Sequence, residues 1–134
     1  YRNIYLTKNI QSKRSIMKTI LVAEDNDSNF ILMTFILKKH YTVVRATNGK
    51  EAVDIASTTP VDLILMDIKM PEMDGLEATR IIKSRMPEIP IVALTANAFQ
   101  SDRDMALAAG CDEFLSKPVN SQLCLDTIAK FIAQ

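Results

Sequence analysis

Short apolar runs alternate five times with helix-patterned stretches along this chain, and that alternation constrains its fold more than any other feature. The runs read as strands near residues 19–24, 42–46, 61–67, 90–95 and 112–116, and the helical patterns lie near 27–39, 49–57, 75–85, 100–109 and 120–132. Strands and helices in strict alternation are the signature of parallel βαβ units. Leu125, Ile128, Ala129 and Ile132 fall at i, i+3, i+4 and i+7, and Ala52, Ile55 and Ala56 repeat the start of that spacing, so each helix has a face to lay on a sheet. These faces read as core and not as a cofactor stripe. Right-handed crossovers wind five such units into a doubly wound α/β domain, a five-stranded parallel sheet in the order 2-1-3-4-5.

In that order strands 1 and 3 are neighbours, and a ligand crevice opens at their C-terminal tips. Four strand-like runs end there in a chemically active group. The first runs into Glu24 and Asp25, the third ends on Asp67, the fourth ends on Thr95, and the fifth runs into Lys117 and Pro118. Three carboxylates in one dry cleft repel one another and are costly to keep ionised without a compensating cation. A hard divalent ion resolves that conflict, and oxygen donors suit Mg²⁺ better than Zn²⁺. Lys117 supplies further positive charge. The glycines, Gly49 and Gly75 before helices and Gly110 after one, build neither a GxGxxG nor a GxxxxGK loop, so dinucleotide or NTP binding by such loops is unsupported. Gly110 is expected to form a left-handed helix cap.

The 134 residues fit one domain, read as 18–134, preceded by a polar, basic stretch over 1–17 with no clear face to bury. That stretch reads as a linker from a longer polypeptide or as a foreign leader ahead of a native start at Met17. Sixteen acidic and sixteen basic residues cancel, so no electrostatic footprint of nucleic-acid or membrane binding is visible. No apolar stretch approaches the ~20 residues of a membrane helix, and nothing resembles a signal peptide, so the chain reads as cytoplasmic. Cys111 and Cys124 lack metal-ligand spacing and read as buried thiols in a reducing compartment. His40, after Lys38 and Lys39, reads as a charged cap at the end of the first helix and not as a phosphotransfer histidine.

Taken together, Glu24, Asp25 and Asn26, then Asp67 with Met70, Pro71 and Gly75, then Thr95 and Ala96, then Lys117 and Pro118 resemble the receiver domains of two-component response regulators, the CheY-like family with a flavodoxin-like fold. The resemblance spans residue 18 to about 132. Asn29, the run Thr95, Ala96, Asn97, Ala98, and Ala109 to Asp112 are most similar to receivers of hybrid sensor histidine kinases.

The resemblance implies that Asp67 is the phosphoacceptor, taking a phosphoryl group from a phosphohistidine to form an aspartyl phosphate. It implies Mg²⁺ held by Glu24, Asp25, Asp67 and the backbone carbonyl of Lys69, with Lys117 and Thr95 binding the phosphoryl group. Phe114 takes the place of the switch aromatic, Lys69 and Asn97 the places that tune phosphoryl lifetime, and the bond before Pro118 is expected to be cis. The readout face is the fourth helix, fifth strand and fifth helix, over residues 100–131. The implied partners are a histidine kinase or a histidine phosphotransfer domain, contacted through the first helix near Phe30 to Leu37, with a weak homodimer conceivable and no direct nucleic-acid or membrane contact. Such a domain catalyses only its own phosphorylation and dephosphorylation. Two rival readings are a phosphohydrolase using Asp67 as a transient nucleophile, disfavoured by Lys69 where a second acid is expected, and a degenerate receiver that only docks.

Overall fold

The five apolar runs form one parallel sheet. The structure, a computed structural model, describes residues 17–96 and 100–132. Its elements are β1 (Thr19–Ala23), α1 (Asp27–Leu37), β2 (Thr42–Ala46), α2 (Gly49–Thr58), β3 (Leu63–Asp67), α3 (Gly75–Arg85), β4 (Ile91–Thr95), α4 (Gln100–Ala109), β5 (Glu113–Ser116) and α5 (Ser121–Ala129). The strand order is β2-β1-β3-β4-β5, every pairing is parallel, and β1 lies beside β3 as the alternation predicts. The proposed linker, residues 1–17, and Asn97 lie outside the described residues, apart from Met17.

Side-chain alternation splits the core into two layers. Leu21, Ala23, Ile64, Met66, Ile91 and Ala93 face α2, α3 and α4, whereas Ile20, Val22, Leu63, Leu65, Val92 and Leu94 face α1 and α5. All five residues of β3 and of β4 are buried, which is why these runs are continuously apolar and not alternating. Each buried Leu or Ile contributes about 1.5–3 kcal/mol relative to exposure.

Several boundaries move inward from the sequence expectation, for local reasons. β3 starts at Leu63 because the Asp62 carboxylate accepts the Thr19 N–H at 2.8 Å, while the Asp62 N–H donates to the Thr19 carbonyl at 2.8 Å, closing the ladder with a side chain. β4 starts after Pro90, which has no N–H to give. α1 ends at Leu37, so Lys38, Lys39 and His40 follow the helix and do not occupy its last turn. α5 ends at Ala129, and Ala129 is exposed: the buried face is Cys124, Thr127 and Ile128, with Leu125 partly covered. Cys111 and Cys124 are buried and unbridged, and burial pushes both thiols up to about 11.

Asn26, Asn48, Asp74 and Asn120 cap the N-termini of α1, α2, α3 and α5, each side chain accepting the N–H three residues on. At the other end of α4, Gly110 has φ 111°. Its N–H donates to the Leu107 carbonyl and that of Cys111 to the Ala106 carbonyl, both at 3.0 Å, the paired bonds of a Schellman cap. Lys83 of α3 runs directly beneath Gly110 and donates to the Ile89 carbonyl at 2.7 Å and to Asp112 Oδ2 at 2.8 Å. The same Asp112 oxygen accepts the Ile91 N–H at 2.8 Å, so one network ties α3, β4 and β5 at the edge of the sheet where the strands begin.

Candidate functional site

The site forms where the parallel strands stop. Glu24 extends β1 by one ladder bond, its N–H donating to the Ala46 carbonyl at 2.9 Å, and its side chain is 1% exposed. Asp25 follows in solvent contact, and Asp67, the last residue of β3, is 6% exposed. Thr95 ends β4 and is buried beside them. The Lys117 N–H donates to the Thr95 carbonyl at 2.8 Å, which sends the lysine side chain off the end of β5 toward the acids. Its Nζ donates to Glu24 Oε1 at 2.8 Å and to Asp67 Oδ2 at 3.0 Å. The Lys117–Pro118 peptide is cis.

Gly75 sets the floor of the loop from β3 to α3. Its N–H donates to the Ile68 carbonyl at 2.8 Å, and a Cβ there would collide with the Asp67 carbonyl oxygen, so only glycine lets α3 start this close to the acid. Asp67 Oδ1 accepts the Lys69 N–H at 3.3 Å, while the Lys69 side chain is exposed at the cleft mouth. Glu72, in the same loop, has φ 65°.

Carboxylate oxygens of Glu24, Asp25 and Asp67 lie within 4.8 Å of one another. Two like charges about 4 Å apart repel by ~4 kcal/mol at an effective dielectric near 20. Desolvation, with the adjoining Asp67 charge, raises the Glu24 carboxyl above its ordinary value even against Lys117. Burial alone would lower the Lys117 ammonium, but its hydrogen bonds to Glu24 and Asp67 outweigh that, and its pKa is raised. An ammonium therefore stands where the acids demand a cation. The donor set is all hard oxygen, so these residues fit a hard divalent ion.

A cleft of about 250 Å³ opens above Asp67, Thr95 and Lys117 and is walled on its apolar side by Leu76, Leu94 and Met105. A smaller hollow of about 60 Å³ lies on the α1 side of Lys117, between Glu24, Leu32 and Val119. Phe114 stands apart from the cleft. It is half-buried on the layer under α2, α3 and α4, with the Arg103 guanidinium 4.3 Å above its ring. Glu24, Asp25, Asp67, Thr95, Lys117 and Lys69 thus converge. Sequence reasoning missed Asp102, which lines the cleft from the first turn of α4, and Arg45, which grips the loop after β1. For Arg45 a signal existed: it is a lone charge in the otherwise uncharged strand Thr42–Ala46.

An acid cluster and a lysine at the switch point of a doubly wound sheet define a flavodoxin-like domain with two buried carboxylates and one exposed one, a set that fits a metal ion. The chain belongs to the response regulator receiver domain family, whose sequence model matches residues 20–129. It is thus a receiver domain of the two-component signalling type. It is 36% identical to the polar-differentiation response regulator DivK of Brucella anthropi over 118 residues, covering 86% of this chain and 96% of that protein. The receiver domain of sensor histidine kinase PA1611 from Pseudomonas aeruginosa, solved with a magnesium ion in its active-site cleft, superposes with a TM-score of 0.81 at 36% identity, over 86% of this chain and 97% of that one. A third likeness is to the co-crystal of the Saccharomyces cerevisiae phosphotransfer protein Ypd1 with the receiver domain of the response regulator Ssk1. There the TM-score is 0.81 at 33% identity, over 86% and 88% of the two chains. No described helix is long and apolar enough to cross a membrane.

Proposed function

We propose that this receiver accepts a phosphoryl group on Asp67 from a phosphohistidine of a histidine kinase or phosphotransfer domain. The observation that carries the reading is a buried carboxylate at the cleft floor, held by the Lys117 ammonium at 3.0 Å and the Lys69 N–H at 3.3 Å. One Asp67 oxygen attacks phosphorus, the P–N bond to the donor imidazole breaks, and an acyl phosphate forms. Glu24, Asp25, Asp67 and the Lys69 carbonyl would hold Mg²⁺, which supplies charge neutralisation for the transferring phosphoryl group. Lys117, already poised between the acids, exchanges a carboxylate for a phosphoryl oxygen, and the Thr95 hydroxyl donates to another. Lys69 and Asn97 govern how readily water reaches the product.

Moving a two-state domain from 1:99 to 99:1 requires roughly 5.5 kcal/mol of differential stabilisation, within reach of a few charge-assisted bonds to a phosphate. The readout lies on α4, β5 and α5, with Phe114 moving beneath Arg103. Residues 18–134 form the receiver and 1–17 a connecting segment, as in a hybrid histidine kinase working in the cytoplasm.

Intact mass after incubation with acetyl phosphate and Mg²⁺ tests the reading. One added phosphoryl group is expected in the wild type, and none in Asp67→Asn or in the presence of EDTA. Folded wild type that stays unlabelled would reduce the domain to a docking module, and multiple turnover of a small phosphoester would indicate a hydrolase.

A further inference from the structure

Arg45 is the only charged residue of the edge strand β2, and it lies on the face turned toward α1. Its side chain is 25% exposed, and the guanidinium is held against the chain. Nε and Nη2 donate to the Glu24 carbonyl at 3.2 and 3.1 Å, and Nη2 also donates to the Asp25 carbonyl at 3.3 Å. Nη2 further meets Asp27 Oδ1 at 2.8 Å, and the guanidinium carbon sits 4.6 Å above the Phe30 ring. One side chain thus binds the backbone of both acids that leave β1 and the first turn of the helix that follows.

We propose that Arg45 is a positioning residue for the divalent cation of this site, fixing the carbonyls of Glu24 and Asp25 and hence the directions in which their carboxylates leave the chain. The inference rests on the cation-assisted reading above. Between Ala23, the last residue of β1, and Asp27, the first of α1, the backbone must turn from extended to helical within three residues. A forked donor with two carbonyl acceptors, an ion-pair anchor and a stacked ring restrains that turn before a cation arrives. A lysine offers neither the planar fork nor the ring stacking, so charge alone does not replace it.

Charge and positioning predict opposite signs. A guanidinium near a cation site repels the cation, so if its charge were all that mattered, removing it would tighten binding. Here that charge is already matched by Asp27, which leaves the restraint as the larger effect.

The test titrates Mg²⁺ into wild type, Arg45→Lys and Arg45→Met, following amide chemical shifts at a temperature where all three are folded, with melting in EDTA recorded beside it. Arg45→Lys keeps the alkyl stem and the charge and so guards against loss of fold. Both variants are expected to raise the Mg²⁺ Kd about tenfold, the low end for loss of a residue supporting metal ligands. An unchanged Kd with a lowered melting point would make Arg45 a strut and overturn the proposal. Tighter binding by Arg45→Met alone would overturn it in favour of charge repulsion. Failure of the wild type to bind Mg²⁺ would instead strike the cation-assisted reading itself.

Discussion

A lysine ammonium lies between Glu24 and Asp67, and desolvation together with the adjoining Asp67 raises the Glu24 carboxyl in spite of it. Glu24, Asp67, Thr95 and Lys117 were legible in the sequence because each stands at or just beyond the end of an apolar run, where strand geometry leaves little choice of position. Arg45 was not legible in its role, because besides Asp27 and Phe30 the acceptors that define that role are backbone carbonyls some twenty residues earlier, and carbonyls carry no sequence signature. Nor was the reason for Gly75: the sequence shows a glycine before a helix, but only the fold brings the Asp67 carbonyl against it. Glu72 presents the opposite case, a residue with a side chain in a left-handed conformation at φ 65°. That conformation costs a non-glycine residue roughly 1–2 kcal/mol, partly offset by the freedom glycine gains in the unfolded chain. Glu72→Gly is therefore expected to stabilise the domain by about 1 kcal/mol, read as a higher urea midpoint with an unchanged slope.

Helix α2 shows how much a terminus depends on charge. Asn48 caps it by accepting the Glu51 N–H at 2.8 Å, and Glu51 returns to the Thr47 N–H at 3.0 Å and hydroxyl at 2.7 Å. The backbone hydrogen bond from Thr47, then its hydroxyl, lower the Glu51 pKa below the ordinary carboxylate value. A lowered folded-state pKa gives stability that is present above the unfolded value and lost as pH falls through the folded one. Glu51→Gln is thus expected to lower the urea midpoint at neutral pH, and the gap to wild type should close as pH falls through the lowered folded-state value. A gap of constant size would assign the effect to hydrogen bonding without charge. The strand and helix types were readable from period and length, but the buried face of α1 was not. Its sequence, Phe30 to Leu37 above all, is apolar nearly all round, so no period singles out Met33, Ile36 and Leu37 as the side that packs.

At the scale of the molecule, the remaining side of α1 is left uncovered: Ile31 is 61% and Phe35 71% exposed, on the helix that flanks the acid site. If this side receives the phosphohistidine partner, Ile31→Ser with Phe35→Ser should cut transfer from a phosphorylated phosphotransfer domain at least tenfold. Labelling by acetyl phosphate, which needs no docking, should stay within about twofold, since scattered surface changes shift stability by only some ±0.5 kcal/mol. Equal loss with both donors would place the defect in the fold. Alternation and handedness gave a parallel doubly wound sheet, for which 2-1-3-4-5 is one of the two common orders, whereas the choice of partner rests on surface chemistry that one sequence does not rank. The two edges of the sheet also differ mechanically. Where the strands begin, Lys83, Asp112 and the Gly110 cap clamp the C-terminal end of α4 to α3, β4 and β5. With that end fixed, displacement of α4 becomes rotation about a pivot, and ten residues at 1.5 Å each give a lever of about 15 Å. Asp102 and Arg103 lie near the far tip, so any such rotation is largest where the helix meets the cleft and smallest at its anchored end.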